Sequence, residues 1–274
     1  MFDYNVACCL CIRNCYNTLP SIFKNLDNLG KEFKTFNVVF VYDNCTDNSE
    51  VLLEQYKKTS KFNVLVVKLI NESVLRTIRI AKARNACLKV VYNNLQNIDF
   101  HLMIDADDVN EKSWNIEVIT KYLNDDRWDI LTFNRTHYYD IWALSYGYFM
   151  HHCWGFFNDN LKVIDCIQND ITEILKNLKE NELFPCYSAF CGFGIYRTNK
   201  LKNIFYDGFY PNLKLLISDN DRNITSQFLQ HKLNSKINLN NNRAESCEHL
   251  FYNILAIKRN KARVRIAKEI AIPN

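Results

Sequence analysis

Leu102-Met103-Ile104-Asp105-Ala106-Asp107-Asp108 is the stretch from which the fold of this chain is read. A short apolar run, expected as a strand over 101–104, ends abruptly in three carboxylates. In open α/β sheets, ligands bind outside the carboxyl ends of the strands. Carboxylates gathered there suit a hard divalent cation such as Mg2+ or Mn2+. Such a cation bridges a diphosphate and neutralises the charge that grows on it as it leaves. The plainer reading of the same residues is an acidic turn that caps the next helix.

Working outward, Val39-Phe40-Val41-Tyr42-Asp43-Asn44-Cys45-Thr46-Asp47-Asn48-Ser49 repeats the pattern of an apolar strand ending in an acid-rich turn. An acid in that place can accept hydrogen bonds from a base edge or a ribose. Helix capping by Asp47 or Ser49 is the simpler alternative. Between the two turns lies Ile80-Ala81-Lys82-Ala83-Arg84-Asn85-Ala86-Cys87-Leu88, whose arginine can pair with phosphates, order the acidic loop, or merely sit on the surface.

Around these segments the first half alternates strands at 6–12, 38–42 and 62–69 with helices at 19–29, 49–56 and 74–95. Leu19, Ile22, Phe23, Leu26 and Leu29 show the helical spacing. Alternation of this kind argues for an α/β fold with a mostly parallel central sheet flanked by helices. Beyond 110 the pattern predicts a helix over 113–123, a strand over 130–133, an aromatic segment over 140–157 and a helix over 165–181. A glycine-containing run, Cys191-Gly192-Phe193-Gly194-Ile195-Tyr196-Arg197, follows, and the Asn-rich tract 238–242 is a loop candidate. The chain reads as one domain over 1–274, with a nucleotide-binding half (1–110) and an acceptor-binding half (111–274) on one continuous sheet.

With 274 residues, 48% hydrophobic and 23% charged, the composition is that of a globular protein with a sizeable core. A net charge of +4, mostly scattered, gives no expectation of nucleic-acid binding. The basic run 258–268 reads as a solvated helix face or a surface for an anionic partner. Eleven cysteines, an odd number without CxxC pairs, read as reduced and mostly buried thiols of a cytoplasmic protein. No basic and apolar leader opens the sequence. The aromatic run is short and broken by His151 and His152, so no transmembrane segment is expected.

The order of these motifs resembles the GT-A glycosyltransferases (family 2-like), whose fold is Rossmann-like. The matching elements are the first strand followed by Arg13 and Asn14, the turn Asp43-Asn44-Cys45-Thr46-Asp47, the element Ala83-Arg84-Asn85, and the Asp-x-Asp motif Asp105-Ala106-Asp107, across residues 4–110. The turn departs from the family at Asn44-Cys45, where many members carry Asp-Gly. The second half is similar to members from large DNA viruses and to fungal capsule mannosyltransferases. It shares with them Asp140-Ile141-Trp142-Ala143-Leu144, the segment from Ser188 to Tyr196, and Cys247-Glu248-His249. A viral source would imply a location in host cytoplasm or virion.

The resemblance implies roles for individual residues. Arg13, Asp43, Arg84, Asp105 and Gly192 would bind the donor, a UDP-sugar in preference to a GDP-sugar. Asp105, Asp107 and His249 would hold Mn2+ or Mg2+. Asp219, Asp221 and Glu248 are the candidates for the catalytic carboxylate, with Glu245 competing and with capping of a helix over 223–233 as the plain alternative for the first two. Apart from the resemblance, the aromatic segment 140–157 offers Trp154 as a ring face and Asp140 as a hydroxyl partner for a glycan or glycoprotein acceptor, with a buried aromatic core as the plainer reading. A homodimer is compatible with all of this. The competing readings are a non-catalytic sugar-nucleotide or glycan-binding protein and a nucleotidyltransferase. The last is disfavoured because Arg13-Asn14-Cys15-Tyr16-Asn17 after the first strand lacks glycine.

Overall fold

The computed structural model describes residues 1–150, 160–236 and 243–273. Eight strands form one sheet in the order β3-β2-β1-β4-β7-β5-β8-β6. In chain order they are β1 (Phe2–Ile12), β2 (Phe33–Tyr42), β3 (Asn63–Lys68), β4 (Phe100–Asp105), β5 (Ile130–Asn134), β6 (Leu183–Cys186), β7 (Phe193–Arg197) and β8 (Val264–Ile270). The helices are α1 (Leu19–Gly30), α2 (Ser49–Thr59), α3 (Arg76–Asn93), α4 (Ile116–Thr120), α5 (Asn160–Lys176), α6 (Tyr210–Leu216), α7 (Asp219–Leu233) and α8 (Glu248–Asn260).

The α/β expectation holds, with a sheet more mixed than its first half suggests. β1, β2, β3 and β4 are parallel, as are β5 and β8, whereas β7 and β6 run against their neighbours. The strands at the centre are apolar on both sides because both faces are covered. Along β1, Val6, Cys8 and Leu10 enter the core shared with Ile22 and Leu26 of α1 and Leu53 of α2. Ala7 and Cys9 enter the opposite core, with Cys87 and Val91 of α3 and Leu255 of α8. The period of two thus assigns each strand residue to one layer. Buried cysteines act here as small hydrophobes, and all ten described cysteines are free. No helix among the described residues is long and apolar enough to cross a membrane.

Three sequence expectations are corrected. The helix expected over 113–123 shrinks to α4, whose N-cap Asn115 accepts from Val118 N, and turns follow it. The helix expected over 165–181 lies earlier in the chain, as α5, and the chain then turns through Asn181 at φ 60°. The basic run 258–268 is not one helix face. Helix α8 ends where Lys261 turns left-handed, and β8 then pairs between β5 and β6. Val264 and Ile266 alternate into the core, while Arg263 pairs with Asp129 (2.9 Å) and Lys268 bonds the Leu178 carbonyl. The charges therefore lie along a strand whose apolar alternation their density obscures. The Asn-rich loop candidate 238–242 lies outside the described residues.

His101 of β4 is fully buried, stacked on Tyr196 with centroids 5.0 Å apart, its Nδ1 3.2 Å from Thr198 Oγ1. Burial lowers its pKa from 6.5 to about 3. The unfolded chain takes up that proton more readily than the folded one. Stability is therefore complete above the unfolded value and declines as pH falls toward 3, by roughly 2 kcal/mol at pH 5. Urea unfolding at pH 7 and pH 5 should show this loss. His101→Gln, which can still bond Thr198, should shrink the difference; an unchanged difference would assign it to other groups.

Candidate functional site

The carboxyl ends of β1, β2 and β4 open onto a pocket of about 650 Å3, within the range of sites for small ligands and cofactors. Its acidic side is the turn after β4. Asp105 N bonds the Gly192 carbonyl (3.0 Å), and the chain then passes through Asp107 into a 3-10 turn at Asp108–Asn110. Asn110 is buried and donates to the carbonyls of Asp105 and Gly192, both at 2.7 Å. The buried guanidinium of Arg135 grips the same turn from behind. It donates to Asn110 Oδ1 (2.6 Å) and to the carbonyls of Val109 (2.8 Å), Cys191 (3.1 Å) and Ile272 (3.2 Å). With the backbone thus held, the side chains of Asp105 and Asp107 face the pocket.

Arg84 of α3, 4% exposed, ties this loop to the end of the chain. Its Nη2 donates to Asp105 Oδ1 (3.0 Å) and its Nε to Glu248 Oε1 (3.1 Å), and it lies 4.7 Å over the Phe190 ring. Burial works against its charge, but Asp105 and Glu248 outweigh burial and hold its pKa well above the ordinary arginine value. His249, next to Glu248 at the start of α8, stacks on Phe190 with centroids 3.6 Å apart. Burial and the nearby Arg84 push its pKa well below the usual value, so the imidazole is neutral. Neutral imidazole is the form that binds a metal.

The acids of the pocket differ in how they are held. Asp107 has accessible surface but sits in the concavity. Loss of hydration, then the charges of Asp105 and Asp108, raise its pKa to about 6. Asp140 accepts from Cys191 N (3.1 Å) and Ala143 N (3.3 Å). Burial and the Asp105 charge raise its pKa to about 7 against those two bonds. Asp43 at the end of β2 is buried, and its Oδ2 lacks a hydrogen-bond partner. Asp47 instead serves the loops, accepting from Tyr16 N and Ser49 N at 3.0 Å each.

Of the sequence candidates, Arg13, Asp43, Arg84, Asp105, Asp107, Asp140, Glu248 and His249 all line this one pocket. Gly192 does not: at φ +80° it lies behind the acidic turn, and a Cβ there would meet Tyr139 Oη at 2.6 Å. Its carbonyl orients Asp105 and Asn110, so the structure gives it a place in the loop's support. Asp219 and Asp221 also lie outside the pocket lining. Asp221 forms a capping box with Ser218 at the start of α7, and Asp219, 87% exposed, pairs with Arg222. Glu245 caps α3, accepting from Thr77 N (2.9 Å). Trp154 lies outside the described residues. Arg135 and Asn110 escaped the sequence reading, although Arg135 directly follows a strand as Asp43 does. Arg76 and Arg79, on the pocket wall at the start of α3, escaped it too.

Among the described residues no three His, Cys, Asp or Glu side chains are grouped closely enough to cage an ion. The donor set nonetheless fits a divalent cation. Both ring nitrogens of buried His249 lack a hydrogen-bond partner, and Asp105 and Asp107 line the same pocket. Mg2+-type sites often use one or two carboxylates and take their remaining ligands from substrate phosphates and water.

Solved structures with similar architecture include S. aureus TarS in complex with UDP-GlcNAc, at 16% identity, 98% of this chain, 58% of that chain and a TM-score of 0.49. The mannosyltransferase PcManGT from Pyrobaculum calidifontis, in complex with GDP-Man and Mn2+, matches at 13% identity, 76% of this chain, 48% of that chain and a TM-score of 0.45. Glucosyl-3-phosphoglycerate synthase from Mycobacterium tuberculosis, in complex with Mn2+, UDP and glucosyl-3-phosphoglycerate, matches at 9% identity, 73% and 59% coverage and a TM-score of 0.40. Likeness of this degree concerns the fold alone, and the chain spans about three-fifths of the length of TarS 1-349. No curated protein matches the chain. The family described as Glycosyl transferase family 2 matches residues 8–205, well over half of the 274, and the chain belongs to that family.

Proposed function

We propose that the chain transfers a sugar from a nucleoside-diphosphate sugar to a hydroxyl of a glycan or protein-linked acceptor, with Mn2+ or Mg2+ at the acidic turn. One observation carries this reading: buried polar groups without a hydrogen-bond partner, among them Asp43 Oδ2, Arg84 Nη1 and the His249 ring nitrogens, belong to residues lining a single pocket. Buried polar groups are nearly always hydrogen-bonded, so such a set is what a polar ligand would complete. An N–H would complete Asp43, an anionic oxygen Arg84, and a cation one ring nitrogen of His249. A nucleoside diphosphate with its metal supplies all of them.

In this assignment Asp43, whose buried Oδ2 lacks a hydrogen-bond partner, accepts from a nucleobase N–H, and the donor is a UDP-sugar in preference to a GDP-sugar. Asp107 and His249, with Asp105, would hold the cation, which when bound neutralises charge on the departing diphosphate. Arg13 is exposed on the pocket wall, within reach of an entering anion. Arg84 holds the Asp105 carboxylate in place through its 3.0 Å bond. Residues 1–110 form the donor side and the later residues the acceptor side, in one domain. Such preorganised charge is typically the largest contribution to catalysis.

Donor consumption should be measured against a panel of UDP- and GDP-sugars with Mn2+. Turnover of one donor, abolished by a chelator and reduced by more than about 10²-fold in Asp107→Ala, is the expected result. Failure of every donor to bind or turn over would leave a binding or structural role. The support of the acidic turn gives a second expectation. Arg135→Lys keeps a positive charge but loses the fork that grips four acceptors. Mn2+ binding by the free protein, titrated by electron paramagnetic resonance, should weaken about 10- to 100-fold with the helical circular dichroism intact. Unchanged Mn2+ affinity would separate Arg135 from the metal loop.

A further inference from the structure

We infer that the face formed by α3, the segment 202–209 and the end of α8 docks the protein on an anionic lipid surface. The inference goes beyond the transferase reading and does not depend on it, since docking needs neither donor nor metal. The segment lies in a groove between the two helices. On the α3 side, Asn85 Nδ2 donates to the Tyr206 carbonyl and Asn85 Oδ1 accepts from Tyr206 N, each at 2.8 Å. Thr77 Oγ1 donates to the Gly208 carbonyl (2.9 Å), and a Cβ on Gly208 would meet the Thr77 carbonyl carbon at 2.4 Å. On the α8 side, Asn260 Nδ2 donates to the carbonyls of Lys200 (2.8 Å) and Lys202 (3.2 Å). Held in this way, the segment alternates as a strand does. Ile204, Tyr206 and Gly208 are buried, while Phe205 and Phe209 are 42% and 37% exposed. Apolar rings displayed together on a fixed segment mark a contact surface.

Cations surround the rings. Lys82 and Lys89 lie three residues before and four after Asn85, so they share its stripe of α3, and both are exposed. Arg259 Cζ stands 5.8 Å over the Phe205 ring. Lys202 is exposed three residues before that ring, and exposed Arg76 precedes Thr77. None of these cations forms an ion pair among the described residues. The acids nearby are engaged: Asp207 accepts from Phe209 N and Asn212 Nδ2, and Glu245 caps α3. Apolar rings flanked by free cations suit the boundary of an anionic bilayer, where the rings enter between headgroups and the cations meet their charges. A single-stranded nucleic acid fits less well, because it stacks its bases on open ring faces. The Phe205 ring has Phe251 packed against it (centroids 5.5 Å apart) and Arg259 over it, which leaves an edge. Arg76 and Thr77 belong to the pocket lining as well, so docking sets the pocket mouth beside the bilayer.

The test is flotation of the full chain with phosphatidylcholine vesicles, with and without about one-third phosphatidylserine. The expected result is binding to the anionic vesicles alone, weakening as salt is added. Lys82→Ala with Lys89→Ala should cut the affinity about 30-fold, from about fivefold for each lysine near an anionic surface. Alanine is a good helix former, so α3 should survive this pair, with the helical circular dichroism as the check. Lys57→Ala with Lys58→Ala removes the same charge from α2, whose Leu53 packs on the opposite side of the sheet, and should stay within about threefold of wild type. Phe205→Ala and, separately, Phe209→Ala should each cost about fivefold with an unchanged salt dependence. Absence of binding to anionic vesicles, or equal binding to neutral ones, would overturn the inference. So would an α2 pair that loses as much as the α3 pair, or full affinity in both phenylalanine variants. Tighter binding to single-stranded RNA than to the anionic vesicles, lost in the α3 pair, would assign the face to nucleic acid instead.

Discussion

The buried guanidinium of Arg84 is the constraint on which the rest of the site depends. It lies between Asp105 at the end of β4 and Glu248 at the start of α8, residues 143 positions apart in sequence. Removing one partner of a buried ion pair typically costs about 3–5 kcal/mol, because the charge left behind has lost its water as well as its counter-ion. Without Arg84, the carboxylates of Asp105, Asp107, Asp140 and Glu248 would share one concavity with no buried cation on the pocket wall. The first half of the sheet and the last helix are thus joined at the point where the chemistry is proposed. His249 is carried there because it follows Glu248.

A second arginine divides the work with the first. The Arg135 guanidinium hydrogen-bonds to carbonyl oxygens and to the Asn110 amide rather than to a carboxylate. It fixes backbone, while Arg84 fixes side chains. Gly192 completes this support because its left-handed conformation and missing Cβ let Tyr139 and Arg135 close behind the turn. The acidic loop is held from two sides, so Asp107 can stay close to two other carboxylates despite their repulsion. Burial first, and then that repulsion, raise the pKa of Asp107, and a bound cation would relieve the repulsion.

Much of this was legible in the residues because local signals and fold agreed. The apolar runs at β1, β2 and β4 each end at a polar switch, and the helix spacing of α1 is regular. Asp43, Arg84, Asp105 and Asp107 lie at those switches or on the helix between them, so the pattern that showed the fold also pointed to residues of one pocket. Legibility fell where contacts are long-range. Nothing local marks Arg135 as the grip on a turn 25 residues earlier, or Glu245 as the cap of a helix 168 residues away. β8 was hidden because Lys and Arg at high density resemble an exposed helix end. Asp219 and Asp221 stayed ambiguous for a related reason: acids opening a helix look alike whether they serve a reaction or the helix, and Asp221 closes a capping box.

The unpartnered polar atoms carry a further consequence for how fold and function are balanced. The ring nitrogens of His249, Asp43 Oδ2 and Arg84 Nη1 have each lost water without gaining a protein hydrogen bond, at a cost of about 1–3 kcal/mol per group. A sequence free to relieve that cost would place apolar or bonded side chains there. Keeping these groups at one pocket makes the fold less stable alone than it is with a ligand that satisfies them, and such a ligand returns the cost as binding free energy. The buried shell of Phe190, Arg84 and Glu248 keeps His249 from turning away to find a substitute partner. Rigid packing and unsatisfied polarity thus work together: packing holds the groups in place, and their missing bonds define the chemistry of what may enter.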